Sequence, residues 1–156
     1  MQSTSRDGVG IPTAAQLHVW ASFLRYHAQV VDLLEAELRE EVGMPIAWYD
    51  VLAQLAAAPE GRLRMQELAD AVVLSRSGLT RLVDRIESAG LVERASCPSD
   101  RRGTFATITD EGRARLEEAR PVHRAGIARH FVAHLQRADI AALGDGFDAL
   151  LRGIHH

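Results

Sequence analysis

The sequence predicts a mostly helical chain with one small β-hairpin set among the helices. Three observations carry that reading. A seven-residue apolar repeat runs from Leu17 to Leu38, and two short amphipathic stretches follow one another between residues 65 and 88. Two β-rich runs, 91–95 and 104–108, then bracket the turn formers Pro98, Ser99 and Asp100. The 156 residues suit one domain, or half of a larger core if two copies meet. Hydrophobic content of 47% and charged content of 25% are those of an ordinary globular chain, and the aromatic share of 5% argues against carbohydrate-binding or base-stacking platforms.

Residues 1–12 are rich in Gly and Ser and are expected to be flexible. Thr13 opens a helix, because Thr13 and Gln16 form a capping box that satisfies free amides in the first turn. Leu17, Leu24, Val31 and Leu38 recur every seven residues, Trp20 and Leu34 fill complementary positions, and His27 and Glu41 interrupt that second set. To Glu41 the helix is about 45 Å long at 1.5 Å per residue. A heptad seam of that length meets another helix, and a second copy of the chain supplies one. Gly43 and Pro45 end it, so residues 13–44 are read as a dimerisation helix.

A second helix spans 46–57 with Ile46, Leu52, Leu55 and Ala56 inward, and Pro59-Glu60-Gly61 is a turn. Arg62-Leu63-Arg64 reads as a very short strand that pairs with those after residue 90. The third helix, Met65 to Val72, buries Leu68, Ala69 and Val72, and the small Ala69 lets the next helix pack closely. Val73-Leu74 turns the chain without a glycine. Ser75 then caps the fourth helix, in which Leu79, Leu82, Val83 and Ile86 form one apolar face. Ser77, Thr80, Arg81, Asp84 and Ser88 fall opposite, flanked by Arg76 and Arg85. Gly90 suits a left-handed C-cap, and strands Leu91–Ala95 and Thr104–Ile108 are joined by a loop from Ser96 to Gly103. Thr109-Asp110-Glu111 starts the fifth helix with a cap and two acids, and Pro121 should kink it near Glu117. The last helix, about Ala138 to Arg152, carries Ile140, Leu143, Phe147, Leu150 and Leu151. Residues 46–110 thus form one lobe, and 111–154 a second set of dimerisation helices.

A helix with a polar, Arg-bearing outer face fits a major groove, where hydroxyls and guanidinium forks read base edges. Alone, it would equally suit an ordinary amphipathic surface helix. Its neighbours decide. A hairpin with Arg101 and Arg102 near its tip is a wing, which reaches phosphates or a narrow minor groove. The unit is therefore a winged helix-turn-helix flanked by N- and C-terminal dimerisation helices. Net charge is −3, yet residues 62–102 hold eight Arg against six acids, a net of +2, so positive charge gathers where the reading helix lies.

The chain resembles the multiple-antibiotic-resistance regulator (MarR) family of winged-helix transcription factors. The matching residues are Glu67-Leu68-Ala69, the run from Leu74 to Arg85, Gly90-Leu91-Val92-Glu93-Arg94, Asp100-Arg101-Arg102 and Ile108-Thr109-Asp110-Glu111-Gly112. The resemblance implies a homodimer holding two winged lobes over one palindromic duplex. It implies recognition from Ser75 to Arg85, a minor-groove role for Arg102, and Asp100 orienting that arginine or pairing with a neighbour. It also implies repression of the chain's own or neighbouring genes, relieved by a small phenolic or other aromatic acid bound between the dimer helices and the lobe. Val73 stands where a turn glycine is common. The oxidation-sensing branch carries its cysteine near the start of the first long helix, and this chain has none there.

The expected DNA contacts are Ser75, Arg76, Ser77, Thr80, Arg81, Arg85, Asp100, Arg101 and Arg102. Trp20, His27, Trp48 and Tyr49 are candidates for a ligand pocket, because they sit on helices that would border it, although plain core packing also explains the tryptophans. His123, His130 and His134 have partly metal-compatible spacing, but that stretch adds no carboxylate or cysteine to complete a set, so no metal is expected. Cys97 is a lone thiol in the hairpin, consistent with a reducing compartment, and a redox role would need a lowered pKa that Asp100 opposes. No phosphate-cradling glycine motif or nucleophile elbow appears, so neither enzyme activity nor a cofactor is expected. Without a membrane-length apolar run or a signal pattern, the expected location is cytoplasmic. Competing readings are a winged-helix module that binds protein instead of DNA, and a metal- or redox-dependent sensor.

Overall fold

The computed structural model describes residues 10–72, 76–97 and 100–154, the side chains of residues 76, 97 and 100–102 lying outside the description. Among the described residues the order is α1 (Ala14–Val42), α2 (Ile46–Ala57), β1 (Arg62–Arg64), α3 (Met65–Val72), α4 (Arg76–Ser88), β2 (Val92–Cys97), β3 (Asp100–Ile108), α5 (Asp110–His130) and α6 (Arg137–Ile154). Single 3₁₀ turns sit at Pro59–Gly61 and Val132–His134. The architecture is mostly helical with a small antiparallel sheet, as the sequence predicts.

Local chemistry places the ends of α1. Gln16 Oε1 accepts from the Thr13 amide at 2.8 Å, and Thr13 Oγ1 accepts from the Gln16 amide at 3.2 Å, completing the capping box. Gly43 ends the helix at φ 64°, returning its N–H to the carbonyls of Arg39 and Leu38. Pro45 has no side-chain cap to offer α2, so Glu35 of α1 accepts from the Ile46 amide at 2.5 Å, an acid at the positive end of the helix dipole.

The core lies inside the lobe. Leu38 and Met44 meet Leu52, Leu55, Leu68, Leu79, Val83, Ile86 and Leu116 in one buried cluster. The four apolar positions of α4 are all buried, Leu79, Leu82, Val83 and Ile86. In α2 the inward set differs from the expected stripe. Tyr49, Val51, Leu52 and Leu55 are buried while Ile46 and Ala56 are only partly so. This helix touches α1, α3, α4, α5 and β3, and burial on several sides leaves no single stripe to read.

The sheet order is β1-β3-β2, both pairings antiparallel, with Arg64 opposite Phe105 and Val92 opposite Ile108. The loop expected from Ser96 to Gly103 is a correction: β2 reaches Cys97 and β3 begins at Asp100. Ser96 pairs with Thr104 but Cys97 pairs with Asp100, so the register shifts between them. The expected boundary was drawn from side-chain pattern and turn formers, whereas these added residues are joined by backbone pairing, which side-chain pattern does not record. The turn Val73-Leu74, the cap Ser75 and the hairpin residues Pro98 and Ser99 lie outside the described residues.

Helix α5 continues through Pro121 from Asp110 to His130. Its start is knotted to the end of α4. Gly90 (φ 80°) ends α4, and Thr109 donates its hydroxyl to the Gly90 carbonyl at 2.7 Å while accepting from the Gly112 amide at 3.0 Å. Away from the lobe, the apolar stripes of α1 and α6 are open. Leu17, Trp20, Phe23 and Leu24 on α1, and Phe147, Leu150 and Leu151 on α6, are exposed.

Gly112 allows α5 to start where it does. A Cβ there would lie 2.2 Å from the Leu91 carbonyl oxygen and 2.9 Å from Ile108 Cγ1, and the carbonyl is backbone that cannot swing aside. Gly112→Ala should therefore cost about 1–3 kcal/mol, as overpacked core positions do. Chemical denaturation would show a lower midpoint with an unchanged slope; an unmoved midpoint would mean the α4–α5 knot is looser than the distances say.

Candidate nucleic-acid interface

On α4 the buried stripe turns Ser77, Thr80, Arg81, Asp84, Arg85 and Ser88 outward, and all six are exposed. Ser88 spends its hydroxyl locally, donating to the Asp84 carbonyl at 2.8 Å. Of the expected contacts, Ser77, Thr80, Arg81 and Arg85 share this face. Ser75 lies outside the described residues, as do the side chains of Arg76, Asp100, Arg101 and Arg102; the backbones of the last three open β3.

Asp84 does not stand alone on that face. Arg94 Nη2 reaches Asp84 Oδ1 at 2.5 Å and Glu87 Oε1 at 3.0 Å, while the Arg94 amide donates to Glu87 Oε2 at 2.7 Å. Strand parity explains the direction: Arg94 lies opposite Ala106 and two residues from Val92, on the side of the sheet that faces α4. The amide bond and then the guanidinium hold the Glu87 carboxyl below its ordinary range, and Glu87 raises Arg94 in turn. On the opposite side of the sheet, the Arg62 and Arg64 guanidiniums lie 5.0 and 5.6 Å from the centre of the Phe105 ring, and Arg62 pairs with Glu60 at 2.8 Å.

A second polar cluster joins α1 to the far end of α5. Glu37 Oε1 accepts from Arg129 Nη1 at 2.6 Å and lies 2.6 Å from His130 Nε2. Tyr26 donates its hydroxyl to the His130 carbonyl at 2.9 Å. The helices cross closely here, for a Cβ on Gly126 would lie 2.5 Å from Leu34 Cδ2 and 2.7 Å from Glu37 Oε2. The hydrogen bond with His130, aided by the Arg129 charge, keeps the Glu37 carboxyl below its ordinary value against the opposing pull of burial.

The four candidate pocket residues divide between two places. Trp20 and His27 border an apolar groove of about 940 Å³ between α1, the end of α5 and α6. Phe23 links them, 6.0 Å from Trp20, 6.1 Å from His27 and 6.0 Å from Phe147 between ring centres. Trp48 and Tyr49 belong to α2 instead, where Tyr49 stacks on His123 at 4.2 Å. Burial pushes the His123 imidazole down and the Tyr49 phenol up. The three histidines of the C-terminal half thus part company: His123 on Tyr49, His130 on Glu37, His134 at the groove. Among the described residues no three His, Cys, Asp or Glu side chains gather as metal ligands would, and no helix is long and apolar enough to cross a membrane. Sequence reasoning assigned nothing to Arg94 and Glu87, or to Glu37 and Arg129. Parity along β2 was a signal for the first pair; the second spans 92 positions and left none.

Comparison with known proteins gives a consistent set. A model of the MarR family matches residues 42–103. The regulator MhqR of Bacillus subtilis is 37% identical over 68 residues, 44% of this chain and 47% of its own length, so the chain spans about half of that relative. The transcriptional repressor MdtR of Bacillus subtilis is 30% identical over 115 residues, 74% of this chain and 70% of its own. A MarR family transcriptional regulator of Streptomyces coelicolor, solved in complex with DNA, superposes with a TM-score of 0.86 at 35% identity over 95% of this chain and 92% of the other.

The Glu37 cluster sets a pH dependence. Because the folded carboxyl titrates below its unfolded value, its stabilisation is complete above the unfolded pKa, about 4.3, and fades as pH falls through the folded one. Glu37→Gln should lower thermal stability near neutrality and narrow its gap from wild type as pH drops below about 4. A gap that stays constant across that range would show that the carboxylate contributes nothing through its charge.

Proposed function

The chain belongs to the MarR family, and from that premise we propose that it is a homodimeric, sequence-specific DNA-binding transcriptional regulator that represses its own or neighbouring genes. The observation that carries the reading is the outer face of α4, where Ser77, Thr80, Arg81 and Arg85 stand exposed over a fully buried stripe. Hydroxyls and arginine forks at helical spacing suit base edges, whereas a partner-binding helix would present apolar anchors. In this reading the wing beside it places Arg102 in the minor groove, Asp100 orients that arginine or pairs with a neighbouring one, Arg101 joins the contacts, and Ser75 and Arg76 open the helix. The Streptomyces coelicolor relative, solved in complex with DNA, supports the partner, and MdtR, a repressor, supports the direction of control.

Dimerisation is supported by what α1 and α6 leave uncovered. Trp20, Phe23, Phe147 and Leu150 border one apolar groove and are exposed, as are Leu24 and Leu151 on the same two helices, and exposed apolar surface of this kind suits a second copy of the chain. Residues 13–44 and 111–154 are therefore the dimerisation segments and 46–110 the reading lobe. An aromatic or phenolic effector would act through differential affinity for DNA-competent and incompetent dimers. Its candidate places are the groove at Trp20 and His27 and the aromatic contact of Tyr49, next to Trp48, with His123. The location that follows is the cytoplasm.

Selection of bound duplexes from a randomised pool at moderate salt should enrich a palindrome with half-sites about one helical turn apart. Salt-sensitive retention without enrichment would replace this reading with a winged helix that serves a protein partner. Within the enriched site, Arg81→Ala should relax the preference at one position and cost about 1–3 kcal/mol. Unchanged selectivity would remove Arg81 from the reading face.

A further inference from the structure

We infer that Arg94 is a positioning residue that fixes the hairpin against α4, and thereby sets the spacing between the bases read by the helix and the tract entered by the wing. The inference rests on the DNA-reading role proposed above for those two elements.

Two properties of the site support it. The first is geometry. Arg94 holds α4 by its amide to Glu87 Oε2 at 2.7 Å and by its guanidinium to Glu87 Oε1 at 3.0 Å and Asp84 Oδ1 at 2.5 Å. Asp84 and Glu87 are about one helical turn apart, so a single side chain spans the C-terminal turn of α4. Beyond Arg94, Ala95 and Ser96 are exposed and the register to β3 shifts at Ser96/Cys97. Among the described side chains of β2, Arg94 is thus the last that grips the lobe. The arm from there to Cys97 is about 10 Å long. A small tilt at its base moves the tip by more than a hydrogen bond tolerates.

The second property is charge. One guanidinium between two carboxylates leaves a local net charge of −1 on the lobe's reading side. Such a group opposes a polyanion, so the cluster does not serve DNA affinity through its field. What it supplies is orientation. Arg94 itself, neutralised and turned to the α4 side of the sheet, is not a phosphate contact.

The test uses the full-length protein, a duplex chosen by the wild type from a randomised pool, and a scrambled duplex of equal length. Arg94→Lys keeps the charge and loses the fork. It should weaken binding to the chosen duplex about tenfold while leaving the scrambled duplex within about twofold. Glu87→Gln approaches the clamp from the helix side. Removing an acid should tighten general DNA binding, so weaker binding to the chosen duplex together with equal or tighter binding to the scrambled one has the sign that only orientation explains. One base pair inserted between the helix-read and wing-read segments should then cost the variants less than the wild type. General unfolding would weaken both duplexes in proportion and is separated by thermal melting. Variants that melt as wild type and keep its ratio of chosen to scrambled affinity overturn the inference. A wild type that chooses no sequence overturns the DNA-reading role and the inference with it.

Discussion

Burial of one face of α4 is the constraint on which the rest depends. Leu79, Leu82, Val83 and Ile86 enter the lobe core from a single helix, and each such side chain contributes on the order of 1.5–3 kcal/mol. Turning the helix by one residue, about 100°, would bring polar side chains such as Thr80 and Asp84 toward the core and lift leucine into water. Rotation about the helix axis is therefore fixed by hydrophobic burial, and the outer face is its residue-by-residue complement. The polar face has contacts of its own, at Asp84 and Ser88 among others, but burial of the apolar face decides which residues it holds. It is what remains when the apolar face has been satisfied.

From that helix, order spreads in two directions. At its C-terminal end, Gly90 allows the chain to reverse, Leu91 returns its amide to the Ile86 carbonyl, and Thr109 ties the turn to the first residues of α5. Gly112 lets α5 approach the Leu91 backbone closely, so the lobe and the long helix behind it share a rigid joint. At the far end of α5, Gly126 and the Glu37–Arg129–His130 cluster set the crossing with α1. The path from the outer face of α4 to the open stripes of α1 and α6 thus runs through two close helix contacts. In the proposed dimer, those stripes would fix the separation of two lobes.

The electrostatics are more selective than a charge count suggests. Residues 62–102 have a net charge of +2, but the arginines are not interchangeable. Arg94 is committed to Asp84 and Glu87, Arg62 to Glu60, and both Arg62 and Arg64 lie against Phe105. Arg81 and Arg85 face outward from α4. Any steering of a polyanion therefore comes from a subset chosen by strand parity and helix rotation, not from the regional sum.

Local rules acting on local residues settled much of this protein from the sequence. The Thr13 capping box, the left-handed Gly43 and Gly90, and the apolar spacing of α4 each need only near neighbours, and each is found where those neighbours require it. The exposed set on α4 follows from the same spacing. Tertiary structure decided what depends on partners distant in the chain or on a face with no apolar signature. Strand pairing carried β2 and β3 past the expected loop boundary, because backbone hydrogen bonds leave no mark in side-chain pattern. Several neighbours around α2 buried Tyr49 and Val51 at once. The aromatic candidates were parted because Trp20 and His27 lie along α1 while Trp48 and Tyr49 lie on α2, and only packing says which surfaces meet. Glu37 found Arg129 and His130 across more than half the chain, a pairing made by the crossing of two helices and by nothing nearer.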